Sequence, residues 1–376
     1  MTGDCLIIDF VRTPVCAMGK ALSTRTVDQL EYACMDAIIK RTGLDPENLD
    51  HTICGHAHMD TNPYNLARTA WLLTRYSENV PGYTVHAGEA SGLLAMEKAY
   101  YLHKTGNDLT ALVGGAESYS RAPFILREAR YHVDLTQYPV ADSIREGECW
   151  SQPVPLDPRD ISKKLAEKNG YSPEKLQSFE KAENARADHS IWDGHITETR
   201  WLDRKGKEVS VKQDDLPRPL DGFASYVDGA AAMLTTESDR AQELGLQPIG
   251  RIIGFSWAAC EPDNRWECAI EAARKLTAKY REIRPGDVSD VEILADSAAT
   301  TMAIAEGLEE LGFPPDAVNP NGSSLTWGIN EGADGVIAAG RCLQFLRSTG
   351  KRYGMILASA GGGESMAMLM EAFQQQ

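Results

Sequence analysis

Basic residues are in deficit in this chain: 38 Lys and Arg stand against 54 Asp and Glu, a formal net charge of −16 at pH 7. A surface that tracks nucleic-acid phosphates needs clustered Lys and Arg, so no DNA or RNA partner is expected. Long apolar runs are missing too. None approaches the roughly 20 residues that cross a bilayer, and no membrane partner is expected. The chain enters an apolar, strand-like segment at once, without the basic stretch and apolar core of a secretion signal. Its eight cysteines are scattered, with no CxxC. Cys5, Cys34, Cys54 and Cys342 lie in apolar stretches and read as buried thiols. Together these absences point to a reducing cytoplasm.

What is present is ordinary for a globular protein. Hydrophobic residues make up 43% and charged residues 24% of 376, enough for a large core and one or two domains. An internal repeat organises the chain. SGLLAMEKAYYLHKTGNDLTALVGGAES (91–118) and DGVIAAGRCLQFLRSTGKRYGMILASAGGGES (334–365) share one plan. Each has a glycine before an amphipathic helix, a T-G stop, a short apolar strand and a Gly-rich turn ending in E-S. Segments 27–58 and 266–298 also match, as helix, linker, acidic turn and apolar strand. Runs such as CLIID, ALVGG, VEILA and GMILA are apolar throughout, as strands covered on both faces should be. The expected organisation is two like α/β halves, 1–121 with 220–246 and 247–376. Between them lies an inserted subdomain, 122–219, with helices at 161–169 and 173–191.

In open parallel sheets, ligands sit beyond the carboxyl ends of the strands. His56 and His58 follow the strand HTICG, and Asp296 and Ser297 follow VEILA. Glu89 opens the helix after TVHAG. Asn330 and Glu331 occupy the equivalent turn of the second half, and Ser359 closes the last strand. These residues are expected to converge on one pocket. A carboxylate at a helix start gains roughly 0.3–1 kcal/mol from the dipole when ionised, while burial raises its pKa. Glu89 thus reads as a general acid or base, or else as a structural cap. His56 and His58 suit a base or an oxyanion donor. H-x-H on a strand also suits a metal, with Asp60 or Asp296 as further ligands, but no metal is expected. His86 is expected in the core. Gly114–Gly115 and 361–363 read as tight turns and oxyanion devices. They are not phosphate loops, since no Lys-Ser/Thr follows.

Five ordered segments carry a resemblance to the thiolase superfamily along essentially the whole chain. They are IIDFVRTPVCAMGKALS from Ile7, GGAESYSRAP from Gly114, LPRPLDGFASYVDGAAAML from Leu216, VNPNGSSLTWGINEGADG from Val318 and ASAGGGESMAMLME from Ala358. A sixth, VPGYTVHAGEASGLLAM from Val80, resembles the family's nucleophile turn. The resemblance implies a five-layer α-β-α-β-α fold of two repeated halves, with 122–219 as the loop domain over a CoA pantetheine. It implies a homodimer or dimer of dimers, paired through the strand around Tyr83 to Ala87. Set against the family pattern, the nucleophilic cysteine aligns with Glu89 and the second cysteine with Ser359. The histidine of G-H-P aligns with Ile329, and the asparagine of N-E-A-F with Leu294. Ser225 aligns with a serine near the pantetheine, and Tyr226 replaces the glycine after it. A carboxylate forms no thioester. The expected activity is therefore acyl transfer, C–C cleavage, decarboxylation or hydrolysis of a CoA- or carrier-bound acyl substrate without a cysteine acyl-enzyme. Glu89, His56, His58, Asp296 and Ser359 are the candidate catalytic residues, and Ser225, Tyr226, Asn330 and Glu331 the candidate substrate contacts. No cofactor is expected beyond the thioester itself. The alternatives are an inactive subunit that works with a protein partner, or an acyl-ligand binding protein.

Overall fold

The structure, a computed structural model, describes residues 3–59, 64–106, 109–126, 140–150, 157–203, 205–216 and 219–374. Its first half runs β1 (Cys5–Arg12), α1 (Val27–Thr42), β2 (His51–Gly55), α2 (Leu66–Thr74), β3 (Gly82–Val85), α3 (Ser91–Thr105) and β4 (Thr110–Glu117). The insert follows, with a short helix at Ser143–Trp150 and then α4 (Pro158–Asn169) and α5 (Pro173–Ala185), and after it β5 (Val227–Glu237). The second half runs β6 (Gly250–Ala259), α6 (Arg265–Lys279), β7 (Val288–Leu294), α7 (Ala298–Glu310), α8 (Asp334–Ser348), β8 (Tyr353–Ala360) and β9 (Glu364–Ala372).

The repeat seen in the sequence is a repeat of topology. Hydrogen-bonded neighbours run β7-β8-β9-β6-β1-β5-β4-β2-β3. The first half is ordered β1-β5-β4-β2-β3 and the second β6-β9-β8-β7. The parallel pair β2 with β4 corresponds to β7 with β8, the following pairs are antiparallel in both halves, and the first half adds a second parallel pair, β2 with β3. The place of β3 in the second half is taken by a single parallel bridge between Val291 and Val318. A short antiparallel pairing of Cys5–Ile7 with 250–252 joins the two sheets.

Three apolar clusters define the layers. Leu30, Met35 and Trp71 from α1 and α2 cover one sheet, and Cys268, Leu276 and Ile304 from α6 and α7 cover the other. Between the sheets lie α3 and α8, with Leu93, Met96, Val336 and Leu343 in one core. Each such fully buried side chain contributes about 1.5–3 kcal/mol relative to exposure. The two central helices meet backbone to backbone, because a Cβ on Gly335 would collide with the main-chain nitrogen of Leu93. This is the expected α-β-α-β-α arrangement.

The T-G stops act as expected. Gly106 takes a left-handed φ of 68° and its N–H closes onto the Leu102 and His103 carbonyls, and Gly350 follows with φ 66°. Helices α4 and α5 open on side-chain caps, Asp157 to Arg159 N and Ser172 to Lys175 N, each with proline in the first turn. The helix expected to reach residue 191 ends at Ala185. Asp188 caps a separate 3₁₀ turn, His189–Trp192, and so breaks the run. Gly114 and Gly115 correct another expectation, since they lie inside β4 and not in a turn. A Cβ on Gly115 would strike the Gly332 carbonyl, so the absent side chain is what lets the two halves touch there. Cys5, Cys34, Cys54 and Cys342 are fully buried, and burial drives each thiol pKa upward. Among the described residues no helix is long and apolar enough to cross a membrane.

Candidate active site

Glu89 sits just outside α3 and does not cap it. Gly88, at φ 53°, turns the chain back. Ser91 holds the turn by accepting from Ala87 N at 3.0 Å and donating to the Gly88 carbonyl at 2.6 Å. Ala90 is the N-cap, with no side-chain cap hydrogen bond. Glu89 therefore lies outside the helix start expected of it. Its carboxylate reaches into the other half instead. Oε2 accepts from the backbone N–H of Gly361 at 2.9 Å, and Oε1 lies 3.5 Å from the Arg265 guanidinium. Arg265, the first residue of α6, is ion-paired on its other side to Asp296, which follows β7. The Glu89 side chain is 12% exposed and that of Arg265 4%. Burial, then the charges of Glu331 and Asp296, outweigh Arg265 and the Gly361 N–H and raise the Glu89 pKa to about 7.

His56 and His58 lie past the end of β2, and each has its own carboxylate. His56 is fully buried, with Nδ1 3.0 Å from Glu117 Oε2 and 3.1 Å from the Ala116 carbonyl. Glu117, the last residue of β4, also accepts from Ala57 N at 2.6 Å. Burial opposes charge on both members. The mutual attraction outweighs it, raising the His56 pKa and lowering that of Glu117. His58 Nε2 lies 3.2 Å from Glu331 Oε2, and its ring packs edge-on to Tyr119 at 4.8 Å. This division corrects the idea of two rings sharing one metal, because a strand's alternation does not extend into the turn. Asp60 lies outside the described residues. Among the described residues, no group of three His, Cys, Asp or Glu side chains could hold a metal ion.

The remaining candidates fall around this line of charges. Glu331 reaches both sides of it, paired to His58 and bearing electrostatically on Glu89. Ser359 is buried, and its hydroxyl donates to the backbone carbonyl of Arg265 at 3.4 Å. Asn330 is fully buried and spends its amide on the main chain, donating to the Val227 and Gly229 carbonyls and accepting from Ala333 N. Ser225 is half-buried and takes the Ile329 N–H on its carbonyl at 2.8 Å. Tyr226 bridges to Ile329 and packs on Tyr119 with centroids 4.6 Å apart. Leu294 is buried in the core between the sheets. His86 is exposed, contrary to its expected place in the core, because it follows the edge strand β3.

Sequence reasoning missed Arg265, Glu117 and Tyr119. Glu117 and Tyr119 stood inside the quoted G-G-A-E-S-Y segment, where a motif invites reading as a turn and not as chemistry. Arg265 immediately precedes the segment matched as a repeat, and nothing local marks it.

The arrangement can move protons. It presents a near-neutral carboxyl with partial solvent access, a second donor in His58, and a buried charge pair behind them.

Comparison with known proteins gives one family throughout. The chain is 26% identical to an acetyl-CoA acetyltransferase of Thiocystis violacea, covering 99% of this chain and all of that protein. It is 26% identical to a probable acetyl-CoA acyltransferase of Staphylococcus aureus (strain COL), over 96% and 98% of the two chains. The acetyl-CoA acetyltransferase structure from Bacillus anthracis superposes with TM-score 0.92 at 25% identity, over 99% of both chains. The human mitochondrial 3-ketoacyl-CoA thiolase shares the fold, with TM-score 0.91 at 21% identity over 99% of this chain and 100% of the other. Residues 5–239 match the thiolase N-terminal domain model and residues 246–372 the thiolase C-terminal domain model, so the chain belongs to the thiolase family.

Proposed function

We propose that this protein is an enzyme acting on a CoA- or carrier-bound acyl group, with Glu89 as general acid/base and no cysteine acyl-enzyme. One observation carries the reading. The Glu89 carboxyl, held between Arg265 and the Gly361 N–H and partly open to solvent, has its pKa pushed up to about 7 by burial and by the charges of Glu331 and Asp296. Such a group exchanges protons near neutral pH, where general acid/base catalysis is most effective. The acyl-CoA substrate class is supported by the names of the relatives, which are acetyl-CoA acetyltransferases and acyltransferases.

The roles follow from position. Ionised Glu89 takes the proton from the group attacking the acyl carbonyl, or from a hydroxyl whose oxygen collapses to a carbonyl as a C–C bond breaks. In its protonated form it returns that proton to the leaving group. His58, held by Glu331, is the second donor. A carboxylate attacking a thioester would give a labile anhydride, so covalent catalysis by Glu89 is disfavoured. The reading takes 122–219 as the cover over the acyl carrier. It also takes the half-buried edge strand β3 as the seam of a homodimer, since an open edge is a pairing surface.

The test is Glu89→Gln on a panel of acyl-CoA and acyl-carrier substrates. Turnover on the accepted substrate should fall about a hundred- to ten-thousand-fold, and mass spectrometry of the working enzyme should find no acylated cysteine. Full turnover by the variant would remove the acid/base role and leave Glu89 as a strut between the halves. Ordinary thiolysis of acetoacetyl-CoA with an acylated cysteine would overturn the reading as a whole.

A further inference from the structure

Glu89 is gripped by two pieces of the second half that are themselves tied together. Arg265 begins α6, and its guanidinium enters between Glu89 Oε1 and Asp296. Its backbone carbonyl accepts from Ser359 Oγ and Ser365 Oγ, both at 3.4 Å. Those serines are register partners across the β8–β9 hairpin. The tip of the same hairpin carries Gly361, whose N–H holds Glu89 Oε2 at 2.9 Å. One hairpin thus supplies one clamp directly and steadies the residue that supplies the other. A carboxylate with each oxygen bound from a different direction has a fixed plane. We propose that Arg265 is the positioning residue that aims the Glu89 carboxylate into the site, with Asp296 as the counter-charge that keeps Arg265 from pairing fully with Glu89.

The inference rests on the acid/base reading of Glu89. It adds that Arg265 is shared unequally, because the Asp296 contact is the closer of the two. The groups bearing on Glu89 are Arg265 from α6, Asp296 beyond β7, Glu331 from the turn before α8 and the Gly361 N–H from the β8–β9 hairpin. Glu331 is in turn paired to His58. A full Arg265–Glu89 pair would hold the carboxyl ionised at neutral pH, as opposite charges at close range do. Sharing leaves it able to take up and give back a proton.

The experiment follows Glu89 ionisation in the whole protein without needing a substrate. Side-chain carbonyl carbons of glutamate are labelled with ¹³C, and the Glu89 resonance is identified by its loss in Glu89→Gln. Arg265→Met should raise the titration midpoint by about one pH unit or more, and Arg265→Lys should return part of that shift. Asp296→Asn should lower the midpoint, since it removes a negative neighbour and frees Arg265 for Glu89. A merely structural Arg265 would change the melting temperature and leave the midpoint in place. Folded Arg265→Met with an unmoved midpoint would overturn the proposal. If that variant does not fold, an unmoved midpoint in Asp296→Asn overturns it equally. Failure of the acid/base reading is seen separately, as full turnover by Glu89→Gln while the midpoints still move as stated.

Discussion

Two charge clusters in this molecule differ mainly in access to water. The His56–Glu117 pair, built at the ends of β2 and β4, is completely buried and closed upon itself. The Glu89–Arg265–Asp296 cluster lies where the two halves meet, with both carboxylates 12–13% exposed. In the first, the mutual attraction outweighs burial and favours the charged form of each member, raising the His56 pKa and lowering that of Glu117. In the second, two carboxylates compete for one guanidinium, and Glu89 is pushed toward neutrality. A dry, matched pair fixes structure. A wet, mismatched cluster keeps a proton that can leave.

The largest expected effect breaks the dry cluster. Glu117→Ala removes the carboxylate 3.0 Å from the buried His56 ring and the acceptor of the Ala57 N–H. Removing one member of a buried pair typically costs about 3–5 kcal/mol, a large part of a domain's stability. Chemical denaturation should show that loss at pH 7. The wild-type contribution has a window with two edges. It fades as pH rises through the raised His56 value, because the unfolded imidazole has already lost its proton. It fades as pH falls through the depressed Glu117 value, because the unfolded carboxylate has already gained one. If the loss is under about 1 kcal/mol, the pair behaves like a surface contact and the contrast between the clusters collapses.

The second effect has the opposite sign. Glu89 folded titrates near 7 against an ordinary 4.5, so the unfolded chain gives up its proton first. Between those values each rise in pH favours unfolding by about 1.4 kcal/mol per unit, up to ~3 kcal/mol in all. Glu89→Gln has no proton to hold, yet its amide oxygen can still accept from Gly361 N. Subtracting its stability-versus-pH curve from that of the wild type should leave a slope confined to about pH 4.5–7, with the variant the more stable at pH 8. A flat difference would mean that Glu89 ionises normally and belongs with the matched pairs.

These clusters also mark how far the sequence could be read. The layers were legible because apolar strands and T-G stops repeat, and the strand order repeats with them. The place of Glu89 was legible because strand ends converge in such sheets. Its partners were not. Arg265 and Gly361 are about 180 and 270 positions further along the chain, and no local pattern encodes which backbone N–H or guanidinium will meet a given carboxylate. Asn330 erred the other way. A polar residue at an expected pocket position read as a substrate contact, but its amide is wholly engaged by main-chain groups of β5 and the turn before α8. Polar residues at strand ends serve the backbone as readily as they serve a ligand, because buried carbonyls and N–H groups need partners.

The smallest expected effect separates support from chemistry at Ser359. Its hydroxyl is buried and gives its hydrogen bond to the Arg265 carbonyl at 3.4 Å, a long contact. Ser365 donates to the same oxygen at the same distance, so Ser359→Ala leaves that carbonyl with an acceptor role still filled. The cost should sit near the lower end of the roughly 0.5–1.5 kcal/mol of a typical net hydrogen bond. Turnover should stay within a few-fold, because Arg265 keeps its second tether and Glu89 keeps both clamps. The double variant Ser359→Ala/Ser365→Ala removes both tethers, yet the Arg265 carbonyl, in the first turn of α6, keeps the helical N–H four residues on, so any coupling between the two tethers should be small and the cost near the sum of the singles. Denaturant melts of the three variants measure that coupling, and turnover of the single variant measures the chemistry. A hundredfold loss of rate from Ser359→Ala alone, with stability unchanged, would place the hydroxyl among the reacting groups and move Ser359 from the support of Arg265 into the catalytic set.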